Sequence, residues 1–268
     1  PATSACIPTN LRMMSAQYHR PKELKQALEL LAQGAPRIAA GCTDLFPATE
    51  RKILPGPILD ITGIDELRGI ARTETGYRIG ATCTWSDIIA APLPAAFDGL
   101  KLAAREVGAK QIQNQGTIAG NICNASPAAD GVPPLLTLDA RVEVASATGT
   151  REVPLATFIK GPRQIDLRPD ELVSAIIIPE QATGGRGHFL KLGARSHLVI
   201  SIAMVAVRID LQGGTVADAA DLITDTEVAA ALAPIDDIRA DAAYRTSSAG
   251  VLLRTAIRDL IETHEAAA

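Results

Sequence analysis

Two short loops of small residues are the part of the sequence best suited to chemistry. One reads AAGCTDL at 39–45, directly after an apolar run, and the other reads GTIAGN at 116–121. Glycines and small side chains let a ligand approach the main chain closely. Successive backbone N–H groups in a tight turn form a concavity that binds anions, and nearby hydroxyls and amides add hydrogen bonds. Together the loops are suited to binding the two ends of one pyrophosphate without a lysine.

Neither loop matches a standard phosphate-binding signature. The sequence contains no GxGxxG and no GxxxxGK[ST], so the Rossmann and P-loop folds lack their defining glycines here. Each loop alone is equally compatible with an ordinary turn, because glycine and small polar residues are common turn formers. The residues of the loops leave both interpretations open.

Composition disfavours several other kinds of site. The cysteines are far apart and form no CxxC pair, so we expect reduced, buried thiols and neither a zinc nor an iron–sulfur site; they are Cys6, Cys42, Cys83 and Cys123. The four histidines are also scattered, which disfavours a catalytic metal. With 47% hydrophobic residues and a net charge of −4, the chain is globular in composition and has no broad basic surface for nucleic acid.

Length and hydropathy bound the architecture. A chain of 268 residues forms one large domain or two ordinary ones. No apolar run reaches the length of a membrane span, and the N-terminal segment lacks the apolar core of a signal peptide. These features favour a cytoplasmic protein.

Hydrophobic periodicity predicts an α+β chain with mixed sheets. For the first half we expect helices at 21–34, 85–91 and 100–108, and strands at 36–41, 57–62, 76–85, 140–146 and 151–155. For the second half we expect strands at 173–179, 188–195 and 200–211, followed by a helical tail within 237–266. The three later strands and the tail predict a second, smaller domain.

Five segments resemble, in order, the FAD-binding medium subunit of molybdenum hydroxylases. Xanthine dehydrogenase, carbon monoxide dehydrogenase and 4-hydroxybenzoyl-CoA reductase belong to that family. The segments are AAGCTDL (39–45), GYRIGATCTWSDI (76–88), QIQNQGTIAGNICNASPAADGVPPLLTLDARVEV (111–144), FIKGPRQIDLRPDELVSAIIIP (158–179) and KLGARSHLVIS (191–201). The resemblance covers nearly the whole chain, and block 111–144 is its most specific part.

The resemblance implies a fold, a cofactor and partners. The fold would be a two-lobed FAD-binding domain of the vanillyl-alcohol-oxidase (PCMH) type at 1–165, extending to about 180, and a smaller C-terminal α+β domain at 166–268 with a three-stranded sheet and helices. The chain would be an oxidoreductase subunit whose FAD transfers electrons. Its partners would be a molybdopterin-binding large subunit and a [2Fe–2S] small subunit, in a heterotrimer or a dimer of heterotrimers. The molybdenum and iron cofactors would lie only on those partners.

The resemblance also assigns FAD-binding residues, and none with a catalytic or metal-binding role. The two loops would bind the pyrophosphate and adjoining parts of FAD through Ala39, Ala40, Gly41, Cys42, Thr43, Asp44 and Leu45, and through Thr117, Ile118, Ala119, Gly120 and Asn121. Asp130 would accept hydrogen bonds from sugar or ribityl hydroxyls, the alternative being a helix cap. The chain near Val173 to Ile177 would pass the isoalloxazine through backbone contacts. Lys191 would lie beside the flavin, the alternative being a solvated lysine on a strand.

Two positions depart from the family pattern. The family commonly has Gly-Gly where this chain has Gly41-Cys42. It commonly has Ile-Gly-Gly where this chain has Ile118-Ala119-Gly120. Either side chain would be strained if its backbone needed a positive φ. Because one glycine of each pair remains, we expect both changes to be tolerated. The cysteine-rich insertion of the 4-hydroxybenzoyl-CoA reductase branch is missing, which argues against a [4Fe–4S] cluster.

Two other function classes remain open. A standalone FAD-dependent oxidoreductase of the same fold requires its own histidine, tyrosine or cysteine over the flavin, and none is evident. A flavin-free assembly module conflicts with the intact GTIAGN loop and with Asp130. The sequence identifies neither the substrate of the molybdenum subunit nor the terminal electron acceptor.

Overall fold

The computed structural model describes residues 17–49, 54, 56–195, 198–210 and 223–265, and the chain is α+β. The strands are β1 (Tyr18–His19), β2 (Arg37–Ala39), β3 (Ile58–Asp60), β4 (Ile70–Thr73), β5 (Gly76–Gly80), β6 (Arg141–Ser146), β7 (Gly149–Pro154), β8 (Ile159–Gly161), β9 (Gln164–Ile165), β10 (Leu172–Pro179), β11 (Arg186–Leu192) and β12 (Ala203–Ile209). The helices are α1 (Leu24–Gly34), α2 (Trp85–Ala90), α3 (Asp98–Glu106), α4 (Lys110–Gln113), α5 (Ile118–Asn124), α6 (Val132–Thr137), α7 (Leu155–Phe158), α8 (Asp225–Ala231) and α9 (Ala242–Glu265). Within these ranges no helix combines the length and the apolarity needed to cross a membrane. Cys6, His197 and the end of the strand expected at 200–211 lie outside the described residues.

A small parallel sheet begins the described chain, with its strands in the order β1-β3-β2. Helix α1 packs with it through a face that includes buried Leu31. The helix begins at Leu24 rather than at Pro21, because Glu23 is still extended with φ −123° and ψ 141°. It ends where Ala35 adopts a left-handed conformation and donates its N–H to the Leu31 carbonyl, which caps the last turn.

The main sheet has five strands in the order β4-β5-β10-β6-β7, and all neighbouring strands are antiparallel. Its central strand pairs Ile176 with Ile79 of β5 and with Val142 of β6. Side chains of α2, α3, α5 and α6 join those of the sheet in one core that includes Trp85 and Phe97. A strand with two neighbours and a covered face is buried along most of its length, and β10 follows this rule.

The position of β10 corrects the strand grouping expected from the sequence. The pattern groups 173–179 with the two later strands in a three-stranded sheet. The strand exists, but it pairs with β5 and β6, and among the described residues β11 and β12 pair only with each other. The long apolar run explains the difference, because only the centre of a large sheet buries both of its faces.

The segment predicted as one strand at 76–85 changes direction after Gly80. Strand β5 ends there because Thr84 begins α2 with a capping box. The Thr84 hydroxyl accepts from the Asp87 N–H at 3.2 Å, and the Asp87 carboxylate accepts from the Thr84 N–H at 2.8 Å. Trp85 thus sits in the first turn of α2, with its indole ring against Gly131, where an added Cβ would lie 2.4 Å from the ring.

The hairpin of β11 and β12 packs between the helices of the first half and the C-terminal helix α9. Two glycines allow direct main-chain contact with α3 and the turn before it. A Cβ on Gly187 would lie 2.4 Å from the Ala96 carbonyl oxygen, and one on Gly99 would lie 2.9 Å from the His188 carbonyl oxygen. The hairpin is therefore seated directly on the backbone of the first half.

A buried carboxylate at the edge of the main sheet forms an ion pair. The Glu171 side chain is 1% exposed, and its two oxygens accept hydrogen bonds of 2.9 Å from Nε and Nη2 of Arg151. The Arg168 N–H donates to the same carboxylate at 2.8 Å. The Arg151 hydrogen bonds, more than any other contact, lower the pKa of Glu171 to about 2.

This ion pair predicts a specific acid sensitivity. Because the folded pKa of Glu171 lies below its unfolded value, the pair stabilises the fold above about pH 4.5 and loses that effect as the pH falls toward about 2. The Glu171→Gln variant should lose roughly 1–3 kcal/mol of unfolding free energy at neutral pH and show a shallower pH dependence between about pH 5 and 2. Urea unfolding followed by circular dichroism at a series of pH values measures both quantities.

Glu152→Gln provides the matched control. Glu152 pairs with Arg141 on the sheet surface, where both side chains are nearly half exposed. Its loss should change the unfolding free energy by less than about 0.5 kcal/mol. Equal pH slopes for the wild type and both variants would contradict the role of Glu171.

Candidate functional site

A cleft of about 870 Å³ lies at the end of the small parallel sheet. It is bounded by the loop after β2, by the first turn of α5 and by residues 198–200 before β12. A cavity of this size suits a cofactor or another small molecule. Its lining brings together Asp130 and most of the residues predicted from the two loops: Ala40, Gly41, Cys42, Thr43, Asp44, Leu45, Thr117, Ala119, Gly120 and Asn121.

The first loop touches the second by main-chain contact. A Cβ added to Gly41 would lie 1.9 Å from the carbonyl oxygen of Gln115, so only glycine fits without a backbone shift. Within the part of the chain that the structure describes, the N–H groups of residues 41–45 have no acceptor. This loop therefore presents a run of unused donors at the cleft, as the anion-binding hypothesis requires.

Cys42 occupies a strained position in that loop. Its φ is 59°, which is a left-handed conformation that favours glycine. The Sγ donates to the Ala40 carbonyl at 3.3 Å, and burial, with a smaller effect from Asp60, raises the pKa of the thiol. The departure from the family pattern at this position therefore carries backbone strain.

The second loop differs from expectation in its donors. The N–H groups of 118–121 are used inside the protein: Ile118 donates to the Cys83 carbonyl, Ala119 to the Ala81 carbonyl, Gly120 to the Thr117 hydroxyl and Asn121 to the Thr117 carbonyl. They belong to the first turn of α5, for which Thr117 is the N-cap. The expectation of free backbone donors is therefore wrong for residues 118–121.

Side chains of the second loop face the cleft in place of its backbone. The Asn121 Oδ1 is buried and has no hydrogen-bond partner among the described residues. A buried acceptor without a partner is costly, so a donor from a bound molecule is expected there. Ala119 has an ordinary helical backbone without positive φ, so the second departure from the family pattern carries no strain.

Asp130 is buried at the junction with the C-terminal hairpin. Its Oδ2 lies 2.7 Å from Nζ of Lys191, and its Oδ1 accepts from the Ser201 hydroxyl at 2.6 Å. Lys191 is 5% exposed, so the alternative of a solvated lysine is wrong. Lys191 does not line the cleft, and its ammonium is paired with Asp130. Asp130 thus ties β11 and Ser201, two residues before β12, to the cleft.

Besides Lys191, three predicted residues are not part of the lining. Ala39 is the buried last residue of β2, and Ile118 is fully buried in the main core. Of the segment predicted from Val173 to Ile177, Val173 lines the cleft together with Leu172, whereas Ile177 does not. The apolar run does not reveal which end of the strand faces the cavity, because that depends on the sheet order.

Sequence reasoning missed part of the lining. Residues 198–200 form an apolar wall, and Trp85 and Arg163 also contribute. Arg163 has φ 60° and donates to the Asn124 carbonyl at 2.9 Å. The available signals were the apolar triplet LVI in the KLGARSHLVIS segment and the arginine in FIKGPR.

The thiols at the cleft are poorly suited to proton transfer. Burial raises the pKa of Cys123 to about 12, and the pKa of Cys42 is also raised. No histidine or tyrosine from the described ranges lines the cleft. A search of the same ranges finds no cluster of side chains able to hold a metal ion. The site therefore offers binding groups and lacks an evident acid–base pair.

Comparison with known families defines the class of protein. Residues 12–181 match the family described as "FAD binding domain in molybdopterin dehydrogenase", which is more than half of the chain. The chain belongs to this family of FAD-binding subunits of molybdenum hydroxylases, and it is an oxidoreductase subunit.

Individual relatives agree with this assignment. The nicotinate dehydrogenase FAD-subunit of Eubacterium barkeri is 36% identical over 211 residues, covering 75% of this chain and 71% of that protein. The carbon monoxide dehydrogenase medium chain of Afipia carboxidovorans is 31% identical, covering 91% of this chain and 96% of that one. The structure of the reconstituted CO dehydrogenase from Oligotropha carboxidovorans contains a chain with a TM-score of 0.84 and 28% identity, covering 92% of this chain and 98% of that one.

FAD is the cofactor of this subunit, and the cleft fits it. The unused N–H groups of 41–45 suit a pyrophosphate, and the unpartnered Asn121 Oδ1 suits a hydroxyl or amide donor. The volume of about 870 Å³ lies in the range of cofactor pockets. When bound, FAD supplies the redox chemistry, which no side chain of the cleft provides.

Glycine substitutions at Cys42 and Ala119 should have opposite effects on stability. Cys42→Gly relieves a left-handed residue and should raise the unfolding free energy by about 1 kcal/mol. Ala119→Gly loosens a helical turn and should lower it by about 0.5–1 kcal/mol. Urea unfolding of the FAD-free chain measures both. A less stable Cys42→Gly variant would mean that the Sγ bond to Ala40 outweighs the strain.

Proposed function

We propose that the cleft binds FAD and that the chain transfers electrons from a [2Fe–2S] partner subunit to a terminal acceptor. The observation that carries the proposal is the meeting of the two loops at one cavity, with unused donors at 41–45 and an unpartnered acceptor on Asn121. Membership of the molybdenum hydroxylase family supports the direction of transfer.

We assign the contacts to FAD by the chemistry of each group. The backbone N–H groups of 41–45 bind the pyrophosphate, and the Thr117 hydroxyl and the Asn121 amide bind polar parts of the same molecule. Asp130 keeps lone pairs beyond those used by Lys191 and Ser201, so it remains a candidate acceptor for sugar or ribityl hydroxyls. Within the segment predicted from Val173 to Ile177, we assign the main chain at Val173 as the wall beside the isoalloxazine.

The proposed domain arrangement has two lobes followed by a smaller domain. Two separate hydrophobic cores support the lobes: one joins α1 to the small sheet, and the other joins the helices to the main sheet. The first domain then runs from residue 1 to 165 and on to the end of β10 near 180, which agrees with the family match to 181. The C-terminal α+β domain holds the hairpin, α8 and α9 within 166–268.

Electron transfer fits the cleft better than an independent substrate reaction does. The cleft thiols of Cys42 and Cys123 have raised pKa values, and the described lining lacks histidine and tyrosine. A standalone oxidoreductase needs such a group to take a proton from its substrate, whereas electron transfer does not. Membership of a family of FAD-binding subunits argues against a flavin-free module.

Exposed apolar side chains around the cleft support docking of a partner. Phe46, Leu198 and Ile200 are each more than half exposed, and the last two line the cavity. We assign the partners as a molybdopterin-binding large subunit and a [2Fe–2S] small subunit, in a heterotrimer or its dimer. The described cysteines are free thiols, which agrees with the cytoplasmic location that we propose for the complex.

Asn121→Leu tests the cleft as the FAD site. The change removes a buried acceptor that has no partner in the FAD-free chain, so the unfolding free energy of that chain should stay equal or rise. The dissociation constant for FAD should rise about tenfold, the equivalent of one lost hydrogen bond. Fluorescence titration with FAD measures the affinity, and urea unfolding measures the stability.

Asn114→Leu is the matched control, because Asn114 bonds to Ser86 and lies outside the cleft lining. It should leave the affinity for FAD unchanged. Unchanged affinity in the Asn121→Leu variant would place the FAD elsewhere.

Affinity purification of the tagged chain from its native cells tests the electron-transfer role. Elemental analysis of the complex should find molybdenum and iron. The complex should also contain two partner chains, one larger and one smaller than this chain. Dithionite-reduced [2Fe–2S] partner, freed of excess dithionite, should bleach the visible flavin band of the FAD-loaded chain under argon. A chain that purifies alone, or a flavin band that the reduced partner leaves unchanged, would favour the standalone oxidoreductase.

A further inference from the structure

The cleft wall at 198–200 has few restraints of its own. Leu198 has a left-handed backbone with φ 54°, and Leu198 and Ile200 are each 52% exposed while lining the cleft. Among the described residues, the hydrogen bonds that reach this wall come from the Arg195 guanidinium to the Leu198 carbonyl, with Nε at 3.1 Å. Val199 also packs on Gly193, where an added Cβ would lie 2.2 Å from Val199 Cγ1. The position of the wall therefore depends on this contact and on the residues that follow the wall.

Those residues are anchored from three directions. The Ser201 hydroxyl donates to Asp130 Oδ1 at 2.6 Å, and the Ile202 N–H donates to the Leu192 carbonyl at 2.8 Å. The Ile202 carbonyl accepts from Nη1 of Arg245 at 2.6 Å. The first two anchors come from the cleft and from β11, whereas the third comes from the C-terminal helix α9.

Arg245 is itself held rigidly. Its side chain is 13% exposed, and its Nη2 donates to Asp237 Oδ1 at 2.6 Å. Asp237 also accepts from the N–H groups of Arg239 and Ala240, and the Arg239 N–H in particular lowers the pKa of Asp237 to about 2. The carboxylate thus stays ionised and fixes the guanidinium, whose planar fork bridges Asp237 and Ile202.

We propose that Arg245 is a positioning residue for the FAD cleft. By holding the Ile202 carbonyl it fixes Ser201 and, through it, the wall at 198–200 against the bound cofactor. Arg245 does not line the cleft, so it acts only through these residues. The inference rests on the proposed assignment of the cleft as the FAD site.

Arg254 on the same helix offers a matched comparison. Its Nη1 lies 2.8 Å from Asp225 Oδ1 and donates to the Ile223 carbonyl at 3.3 Å. Like Arg245, it joins α9 to a carboxylate and to a main-chain carbonyl. The segment that it holds, before α8, contributes nothing to the cleft. Loss of either arginine should weaken the C-terminal packing, but only loss of Arg245 should weaken the binding of FAD.

The test compares Arg245→Ala, Arg245→Lys and Arg254→Ala in the full chain. Fluorescence titration gives the dissociation constant for FAD, and urea unfolding of the FAD-free chain gives stability. Arg245→Ala should raise the dissociation constant about tenfold and change the visible band of bound FAD, because the wall no longer packs in one position. Arg245→Lys should fall between it and the wild type, since one ammonium cannot reproduce the fork. Arg254→Ala should keep the wild-type affinity and spectrum.

Several outcomes would overturn the inference. Equal affinities and spectra for folded Arg245→Ala and Arg254→Ala would reduce Arg245 to a structural residue. If Arg245→Ala does not fold, Asp237→Asn decides: weaker FAD binding supports the role, and wild-type binding refutes it. If Asn121→Leu leaves FAD binding intact, the proposed cleft itself is wrong. If Asn121→Leu weakens FAD binding and Arg245→Ala does not, the positioning role is refuted and the assignment of the cleft as the FAD site is retained.

Discussion

Strand β10 is the constraint on which the rest of the structure depends. It pairs with β5 on one side and with β6 on the other, so it joins the two halves of the main sheet. A register shift between Val173 and Ala175 turns Val173 and Ile176 toward the same core, while Leu172 packs in the core of the small sheet. One strand thereby holds both cores in a fixed relation, and its first residues form part of the cleft between them.

The cleft itself is made by main chain meeting main chain. Gly41 lies so close to Gln115 that a side chain has no room, and this contact sets the distance between the two loops. Next to this contact the backbone of Cys42 is left-handed, and the N–H groups of 41–45 have no acceptor among the described residues. Strain held at a binding loop is maintained by the packing around it.

The C-terminal half completes the site from the other side. Gly99 and Gly187 let the hairpin rest on the backbone of the first half, and Asp130 pairs with Lys191 in the buried junction. Separating a buried ion pair leaves a charge without a partner, so the two halves are expected to stay docked. Contacts with residues that are distant in the sequence thus place the apolar wall at 198–200 beside the cleft.

The sequence by itself determined the α+β class, the helices α1, α2, α3 and α9, most of the described strands, and the two loops that meet at the cleft. It did not predict the short helices α4 to α8. These depend on local patterns: apolar periodicity, and glycines and other small residues in turns. Tertiary structure alone decided that β10 is central, that the N–H groups of 118–121 are used internally, and that Lys191 pairs with Asp130. Each of these depends on a partner that is distant in the sequence, and a local sequence pattern does not identify that partner.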